Sequence, residues 1–571
     1  MTVPLKQTGL VAVLALLASG CMTGPDYIRP DIATPEDWVS EKAGGVNSTQ
    51  GDITAWWTQF NDPTLNTLIA RAIEDNFDLR SAASRVREAR AARGIVAASL
   101  QPTLSAGASA TRRQGPEQNA SSGPPVSGSI GFGPGGLTRT INIRGRNVSI
   151  SQTASAAGGT TGLTISPTGG AADRTSDLFS LGFDASWELD VFGGNRRAVE
   201  AADADLDAVV EAERQVLVSL VAEVALNYID LRAAQNRLAI TQRNITAQSE
   251  TVKLTAARYE AGLSSELDAV RARSLLAVFE GQLPLLNQQI ASAIYRLGVL
   301  LGGEPGMLLA ELEPTAPLPL VPADIPVGLP SELLRRRPDI RVAERQLAAE
   351  NARIGVAMAD LYPKFFLTGG VSGQSNVLGS ALNNANQLWS FGPSVSWPIF
   401  QGGRIRANIE VQNERQEQAL IRYEQTIMQA LADVETALVA FSSEQVYRRS
   451  VMEAVAANQR AVALANERYA RGMEGFLNAL QAQRSLFESE DQLVQSESII
   501  LANLVSLFKS LGGGWDPAAL SAPEGSTPME PVEPAAAPCS IGPLRFKMPP
   551  RQPRHGCRSG GGDPVMAPGL P

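Results

Sequence analysis

The sequence predicts a mainly α-helical protein with a membrane β-barrel part, in which strands and a long helical hairpin occur twice. The first observation is a self-match: residues 193–303 recur 210 positions later, and residues 78–102 recur 261 positions later as 339–363. The second is the hydrophobic period, which changes from 3.6 to 2 along each copy. Because a fixed-period match dictates architecture, the two halves are predicted to share one fold. The unequal offsets place an insertion in the first copy, between 102 and 193.

The composition excludes several classes of function. The 571-residue chain has a formal net charge of −9, which disfavours a nucleic-acid partner. Its one histidine, His555, and three cysteines, Cys21, Cys539 and Cys557, make a histidine-based catalytic centre or a zinc site improbable. We therefore expect no enzyme activity and no cofactor. After the first twenty residues there is no run of 18 apolar residues, so no transmembrane helix is expected in the mature chain.

The N-terminus has the pattern of a bacterial export signal. Lys6 precedes a short apolar core, and small residues follow just before Cys21, so residues 1–20 are predicted to be a signal peptide. The site resembles a lipobox, which predicts lipidation of Cys21; the alternative is ordinary cleavage beside an unmodified cysteine. Residues 21–61, punctuated by prolines, are predicted to be a lipid-anchored extended segment.

Asp62 and Pro63 open the first repeat, with aspartate as N-cap and proline at the first helical position. In each repeat a long helical pattern turns at a glycine, Gly262 or Gly472, which supplies a positive φ. The first long helix has about 65 residues, which gives roughly 100 Å at 1.5 Å per residue. The return helix and the shorter helix before the strands, such as 339–361, together match that length. We expect two such helices to stack end to end beside each long one.

Four segments alternate between apolar and polar residues, as half-buried strands do. The clearest runs from Phe179 to Leu189. Such a pattern suits a membrane barrel, although a soluble sandwich gives the same signal. Because an open sheet edge is forbidden in lipid, several chains would have to complete the ring, with 12 strands from three chains or 8 from two.

The predicted organisation follows from these patterns. Between the first two strands lies a Gly/Ser/Thr-rich stretch that we expect to be an exposed, mobile loop. Arg335, Arg336 and Arg337 are expected to form a solvated cluster at a helix start. The Pro-rich C-terminus is expected to be disordered. The boundaries are a first repeat 62–303 (strands about 103–111 and 178–191, loop 112–176, hairpin 194–301), a connector 304–338, a second repeat 339–514 (strands about 364–373 and 388–400, hairpin 403–511) and a tail 515–571.

Three motifs resemble one family. The run WWTQFNDPTL at 56–65 resembles the entry motif of outer-membrane efflux lipoproteins, and GLPSELLRRRPDIR at 328–341 resembles their mid-chain signature. The Arg-Tyr-x-x-Gly sequences at 258–262 and 468–472 resemble their helix-hairpin tips. The chain is thus similar, over about 21–515, to the TolC-like outer-membrane factors of tripartite pumps, particularly the NodT-type lipoproteins.

The resemblance implies a homotrimer in which a 12-stranded outer-membrane barrel stands on a periplasmic α-helical tunnel. It implies a periplasmic adaptor and an inner-membrane transporter, usually of the resistance–nodulation–division type, as partners, and outer-membrane lipid around the barrel. The implied function is passive conduction of small toxic compounds or drugs. Two alternatives stay open: an exit duct for type I protein secretion, and a non-conducting periplasmic coiled-coil protein. Nothing in the sequence matches a nucleotide-binding Gly-rich Lys motif, so energy would come from the transporter.

The resemblance also selects candidate site residues near the two tips. Family members often carry acidic rings near the second tip, but this chain has the uncharged Asn478 and Gln481 there, so an apolar constriction at Leu477 is expected instead. Asp268 remains acidic at the matching position of the first tip. The alternative is that these residues are solvated or packing positions and that the glycines only form turns. The candidates for tip turn and adaptor contact are Arg258, Tyr259, Gly262, Arg468, Tyr469 and Gly472, and those for the gate are Asp268, Leu477, Asn478 and Gln481.

Overall fold

The computed structural model describes residues 22–516, without 41–44, 48, 50, 115–125, 134–135, 144–145, 153–162, 169–174, 323–324, 382 and 384–385. The predicted signal peptide, Cys21 and the tail from 517 onwards therefore lie outside the described residues. No helix among the described residues has both the length and the apolar composition that crossing a membrane requires.

The described chain contains nine α-helices, and two of them have 67 residues each. Asp62 is the N-cap of the first, since its side chain accepts hydrogen bonds from the amides of Thr64 and Leu65. The helices are α1 (Pro63–Asp75), α2 (Phe77–Ala97), α3 (Gly194–Glu260), α4 (Glu266–Leu300), α5 (Leu309–Leu312), α6 (Leu333–Arg336), α7 (Pro338–Ala359), α8 (Arg404–Ala470) and α9 (Phe476–Ser510).

The strands form three separate sheets. The main sheet is antiparallel and has the order β10-β9-β7-β2. An inserted sheet has the order β3-β4-β5-β6, and β1 pairs with β8 in parallel. The strands are β1 (Val46–Asn47), β2 (Thr103–Gln114), β3 (Val126–Gly133), β4 (Gly136–Ile143), β5 (Arg146–Gln152), β6 (Leu163–Thr168), β7 (Thr175–Leu189), β8 (Ile325–Pro326), β9 (Lys364–Ser375) and β10 (Gln387–Ser396).

The main sheet has one apolar and one polar face. Residues that pair across antiparallel strands point to the same side, and the register pairs Phe183 with Ala106 and with Val371, which in turn pairs with Trp389. On the other face most pairs join small or polar residues, such as Gly182 with Ser372; Phe366, which pairs with Glu188 and Ser394, is an exception. The apolar face is exposed in the single chain; Phe183 is 57% and Trp389 79% exposed.

The inserted sheet corrects the expectation of a mobile loop at 112–176. Antiparallel pairing joins four strands between 126 and 168 into one meander. The Gly/Ser/Thr-rich composition conceals a period-2 pattern in the sequence; in β4 and β5, for example, isoleucine and valine alternate with threonine, serine and asparagine. Two other strand ends also differ from expectation. β7 ends at Leu189 because Asp190 accepts hydrogen bonds from the amides at the start of α3, and β10 ends at Ser396, before Pro398, which has no amide for the ladder.

The helices form one layer, and the contacts between them give their order in it. Near the main sheet the order is α2, α3, α7 and α8, and near the tips it is α4, α3, α9 and α8. Short helices of 21 and 35 residues in the first repeat, and of 22 and 35 in the second, therefore stack along the long ones, as expected.

The largest apolar core lies at the level where the short helices meet, which we call the waist. It surrounds Trp56, whose ring stacks on Phe508 with 5.2 Å between centroids, and it includes Leu65, Val224 and Ile340. The expected extended segment 21–61 is only partly extended, since Trp56–Phe60 is a 3-10 helix. Val46–Asn47 is extended and pairs with β8. Trp56 is 1% exposed, so burial of the aromatic side chains accounts for this ordered end.

The arginine run at 335–337 is solvated only at Arg335, which is exposed. Arg337 is buried between helices, and its guanidinium donates to Asp339, Asp433 and the Ser510 carbonyl. The adjacent Arg336 donates to the Gly51 carbonyl. The sequence shows only a run of charges before a proline, whereas Asp433 and Ser510 lie on α8 and α9, about a hundred or more positions later.

Candidate functional site

The two hairpin tips have the same backbone. In the first, the amides of Gly262 and Leu263 donate to the carbonyls of Tyr259 and Arg258; in the second, Gly472 and Met473 repeat this pattern. The glycine φ values are 73° and 72°, which is the left-handed region that a side chain disfavours. Gly262 and Gly472 are therefore turn residues, as predicted from the sequence.

One arginine joins the two tips. Arg258 in the first tip donates from Nη1 to the Ala470 carbonyl at 3.2 Å, and its guanidinium carbon lies 4.8 Å from the Tyr469 ring centroid. Tyr469 is 5% exposed and packs on Phe476, with ring centroids 5.2 Å apart. Burial raises the pKa of the Tyr469 phenol above its usual value, even though Arg258 opposes this. We call the Arg258–Tyr469 contact the tip clasp.

The equivalent residues of the opposite tips do not meet within one chain. Arg468 pairs with Glu474 of its own turn, with 2.6 Å between Nη1 and Oε1. Tyr259 is 45% exposed. In the sequence, Arg258 and Arg468 are equivalent, and so are Tyr259 and Tyr469. Within one chain, however, only Arg258 and Tyr469 make the contact between the two hairpins.

The candidate gate residues lie one or two turns above the tips. Leu477 and Gln481 are exposed on α9, and Asn478, also exposed, donates to Glu474 Oε2 at 3.5 Å. Asp268 is half-buried in the first turn of α4, where the helix dipole favours a carboxylate. The structure thus places Leu477, Asn478 and Gln481 within about one turn of α9, and Asp268 on the other hairpin.

The duplication also produces contacts that sequence reasoning missed. The indole Nε1 of Trp187 donates to the Leu100 carbonyl at 3.0 Å, and Trp397 donates to the Leu361 carbonyl at the same distance. The first bond joins the end of β7 to the residues after α2, which lead into β2, the strand that pairs with β7. The second joins the end of β10 to the residues after α7, which lead into β9, the strand that pairs with β10. The offsets of 210 and 261 relate these pairs, so the repeat itself was the available signal.

The sheet and the helix layer end at the same two sides. β2 pairs only with β7 and β10 only with β9 among the described strands. β2 follows α2, whereas α8 follows β10, and these helices are also at the ends of the packing order. One side of the chain is therefore β2 with α2 and α4, and the other is β10 with α8.

Both sides carry exposed apolar side chains in helical register. On α8 successive exposed apolar residues are 7, 11 and 7 positions apart. These spacings place them on one face of the helix, because 18 residues make five turns. On α4 the spacings are 11 and 7. The exposed residues are Ile421, Met428, Val439 and Val446 on α8, and Leu267, Val278 and Leu285 on α4.

The helix surface between these sides is polar in two concave regions. A cavity of about 620 Å³ at the waist includes Gln215, Ser219 and Asn503 in its lining. A second, of about 510 Å³, includes Asp230 and Gln288. Polar and charged side chains of this kind remain hydrated, as the wall of an aqueous passage requires.

A family model described as outer membrane efflux protein matches residues 68–303 and 329–513. The chain belongs to the outer membrane efflux protein family. Nodulation protein T of Rhizobium leguminosarum bv. trifolii is 30% identical over 507 residues, which cover 88% of this chain and 97% of that protein. The solvent efflux pump outer membrane protein SrpC of Pseudomonas putida is 31% identical over 90% of this chain and 99% of its own length.

Solved structures agree with this assignment. The outer-membrane channel OprN has 33% sequence identity and a TM-score of 0.72, and the match covers 87% of this chain and all of that one. CusC, whose structures concern transmembrane channel formation, has 28% identity and a TM-score of 0.68, covering 86% of this chain and 100% of that one.

The family assignment fixes the function and the location. This efflux protein is the outer-membrane channel component of a tripartite efflux pump, with a barrel part in the membrane and a helical tunnel in the periplasm. As a pump component it works with an adaptor and an inner-membrane transporter. The prediction of an efflux channel is confirmed, in preference to the secretion duct and the coiled-coil protein. The apolar face of the main sheet is accordingly the face toward lipid.

Proposed function

We propose that three copies of the chain close into a ring and passively conduct small toxic compounds or drugs, without catalysis. The observation that carries this proposal is the pair of unpaired sides: the β10–α8 side of one copy has the length and apolar stripe to meet the β2–α2–α4 side of the next. An open strand edge cannot stay in lipid, so closure is obligatory.

The interior favours three copies over two. Two copies would give eight strands, and a barrel of that size is filled by its own side chains. Three copies give 12 strands, and the polar face of the main sheet, rich in Gly and Ser, then surrounds an open lumen. The two concave polar regions of the helix layer continue this lumen toward the tips.

The duplication specifies the contact between copies. Within one chain, β7 of the first repeat pairs with β9 of the second, for example Ala185 with Gly369. The offset of 210 relates Ala185 to Val395, and the offset of 261 relates Gly369 to Ala108. We therefore expect β10 of one copy to pair with β2 of the next, with Val395 opposite Ala108. Cysteines at these two positions, in a chain lacking its three native cysteines, should crosslink into dimers and trimers. Val395→Cys with Leu104→Cys, which is four residues out of register, is the matched control; crosslinking of that pair alone, or a tetramer band, would contradict the ring of three.

The tips are proposed to form the resting gate. The tip clasp ties the two hairpins of one copy, and the same offsets place Arg468 beside Tyr259 of the neighbouring copy. The exposed Tyr259 ring would then contact the guanidinium of Arg468 from the neighbouring copy. Within one copy, the Tyr469 ring contacts Arg258 in the same way. The constriction itself would be formed by Leu477, Asn478 and Gln481, with Asp268 from the first hairpin, and the exposed tip turns would receive the adaptor.

Lipidation of Cys21 is proposed to fix the chain at the membrane. The next residues are held where the main sheet meets α3: Thr23 donates its amide to the Phe192 carbonyl, and the buried Arg197 donates to the Thr23 and Gly24 carbonyls and to Asp26. A Cys21→Ser variant should lose labelled palmitate; retention of the label would contradict this assignment.

The transporter is proposed to be of the resistance–nodulation–division type and to supply the energy. Deleting the gene and profiling susceptibility across compound classes tests the cargo. Sensitivity to several small toxic compounds is the expected result, whereas unchanged susceptibility with loss of a secreted protein would favour type I secretion.

A further inference from the structure

Each repeat has a joint at the waist, where the return helix ends against the start of the shorter helix. In the first repeat, α4 ends at Leu300 and meets Asn76, the N-cap of α2. In the second, α9 ends at Ser510 and meets Arg337, at the equivalent position before α7. The offset of 210 relates Leu300 to Ser510, and the offset of 261 relates Asn76 to Arg337.

The two joints share their closest contacts. Asn76 Nδ2 donates to the Leu300 carbonyl at 2.8 Å, and Arg337 Nη1 donates to the Ser510 carbonyl at 3.0 Å. In both joints a glycine after the return helix approaches the partner backbone closely. A Cβ at Gly302 would lie 2.3 Å from the Asp75 carbonyl oxygen, and one at Gly512 would lie 2.9 Å from that of Arg336. The backbone of the joint is therefore duplicated.

The side chains differ in how far they reach. Asn76 is 3% exposed, and its Oδ1 accepts from the amides of Asp78 and Leu79, so it ties only α4 to α2. Arg337 also donates to Asp433 Oδ2 at 3.1 Å and to the Ala430 carbonyl at 3.3 Å, both on α8. The second joint is thus fastened to its long helix by this side chain, and Asn76 makes no such bond to α3.

The two carboxylates around Arg337 are not equivalent. Asp339 holds the guanidinium by a fork, with 3.0 Å to Nε and 2.6 Å to Nη2. Asp433 contacts the guanidinium only through Oδ2, while its Oδ1 accepts from Gln429 on the same helix at 2.8 Å; its side chain is 38% exposed and lines the 620 Å³ cavity at the waist. A carboxylate at the edge of a hydrated cavity can leave its partner at modest cost, whereas the forked pair is geometrically fixed. Asp433 is therefore the member that can be released.

We propose that Arg337 is a positioning residue for gating, which holds α8 against the α7–α9 joint and so fixes the resting position of the second hairpin. The inference rests on the proposed gated trimer. When the second hairpin moves at the tips, α8 and α9 must shift relative to α7 at the waist. The Arg337–Asp433 bond opposes that shift, and the described residues of the first repeat contain no counterpart to it. The second hairpin would consequently open only when this bond breaks.

The test compares Asp433→Asn with Glu223→Gln in planar bilayers. Glu223 is the duplicated equivalent of Asp433, is exposed on α3, and makes no contact with Asn76. Removing the charge at 433 should raise the open probability of single channels about tenfold per copy, the factor given by loss of one charge-assisted bond, and about a thousandfold if the three copies open together. Glu223→Gln should behave as the wild type. Equal open probability for both variants, with intact trimers on gels, would overturn the proposal.

A second pair of variants separates positioning from folding. Arg337→Asn recreates the side chain of the first joint and should match Asp433→Asn. Arg337→Lys keeps the charge but not the fork, so it should give an intermediate open probability. If Arg337→Asn fails to assemble, Asp433→Asn decides alone. A wild-type chain without conductance would refute the proposed channel, whereas a conducting wild type with an unaltered Asp433→Asn variant would refute only the role of Arg337.

Discussion

Replacing Arg258 with alanine should open the channel, because Arg258 alone carries the contacts of the tip clasp. Each clasp combines a cation–π contact with one charge-assisted hydrogen bond to the Ala470 carbonyl. Because the tips are partly hydrated, we assign the clasp about 1.5 kcal/mol, below the sum of the two interactions in buried sites. That value corresponds to roughly a tenfold shift per copy. If the three copies open together, the shift becomes about a thousandfold.

The assay is single-channel recording of the purified channel, the proposed trimer, in planar bilayers. Arg471→Ala is the matched control, since Arg471 lies in the same tip, is 65% exposed and pairs only along its own helix with Glu467. We expect frequent long openings for Arg258→Ala and wild-type behaviour for Arg471→Ala. If Arg258→Ala stays as closed as the control while its trimer remains intact, the clasp does not hold the resting state. A tenfold rather than thousandfold change would show that the copies open independently.

Three further predictions concern the gate, the sheet junction and the N-terminal segment. Gln481→Asp should add block by divalent cations to the constriction, and unchanged conductance on adding Mg²⁺ would count against a gate at this level. Trp397→Phe removes the bond to the Leu361 carbonyl and should cost about 1 kcal/mol, measured as a lower dissociation temperature of the trimer on gels; an unchanged temperature would mean that packing alone holds the junction. Arg197→Met leaves Asp26 and two carbonyls without their donor and should destabilise the chain by about 3 kcal/mol, seen as a loss of trimer in membranes, whereas exposed Arg406→Met should not.

Much of the architecture was accessible from local patterns. The Asp62 cap, the turn glycines and the two 67-residue helices depend on residues a few positions apart, so periodicity and capping rules located them. The inserted sheet was missed because a Gly/Ser/Thr-rich composition outweighed a short alternation of apolar residues. The N-terminal 3-10 helix was missed because burial of Trp56, rather than local preference, orders it.

The candidate site was accessible only as a set of positions. The repeat identified both tips and both joints, but it presented Arg258 and Arg468 as equivalent. Which arginine crosses to the other hairpin depends on how α3 and α8 approach each other at their ends. The same holds at the waist, where Arg337 is buried although its neighbours in sequence are charged.

The sequence by itself determined the duplication, the long helices with their turns, the four strands of the main sheet and the family, because each is recorded in residues that are neighbours along the chain. Only the tertiary structure decided that Arg258 meets Tyr469, that Arg337 binds Asp433, and that sheet and helix layer end at the same two sides. The physical reason is the distance along the sequence over which each interaction acts. Hydrophobic period and capping act over one or two turns, whereas the partner of a charged side chain is set by the packing of helices far apart in sequence.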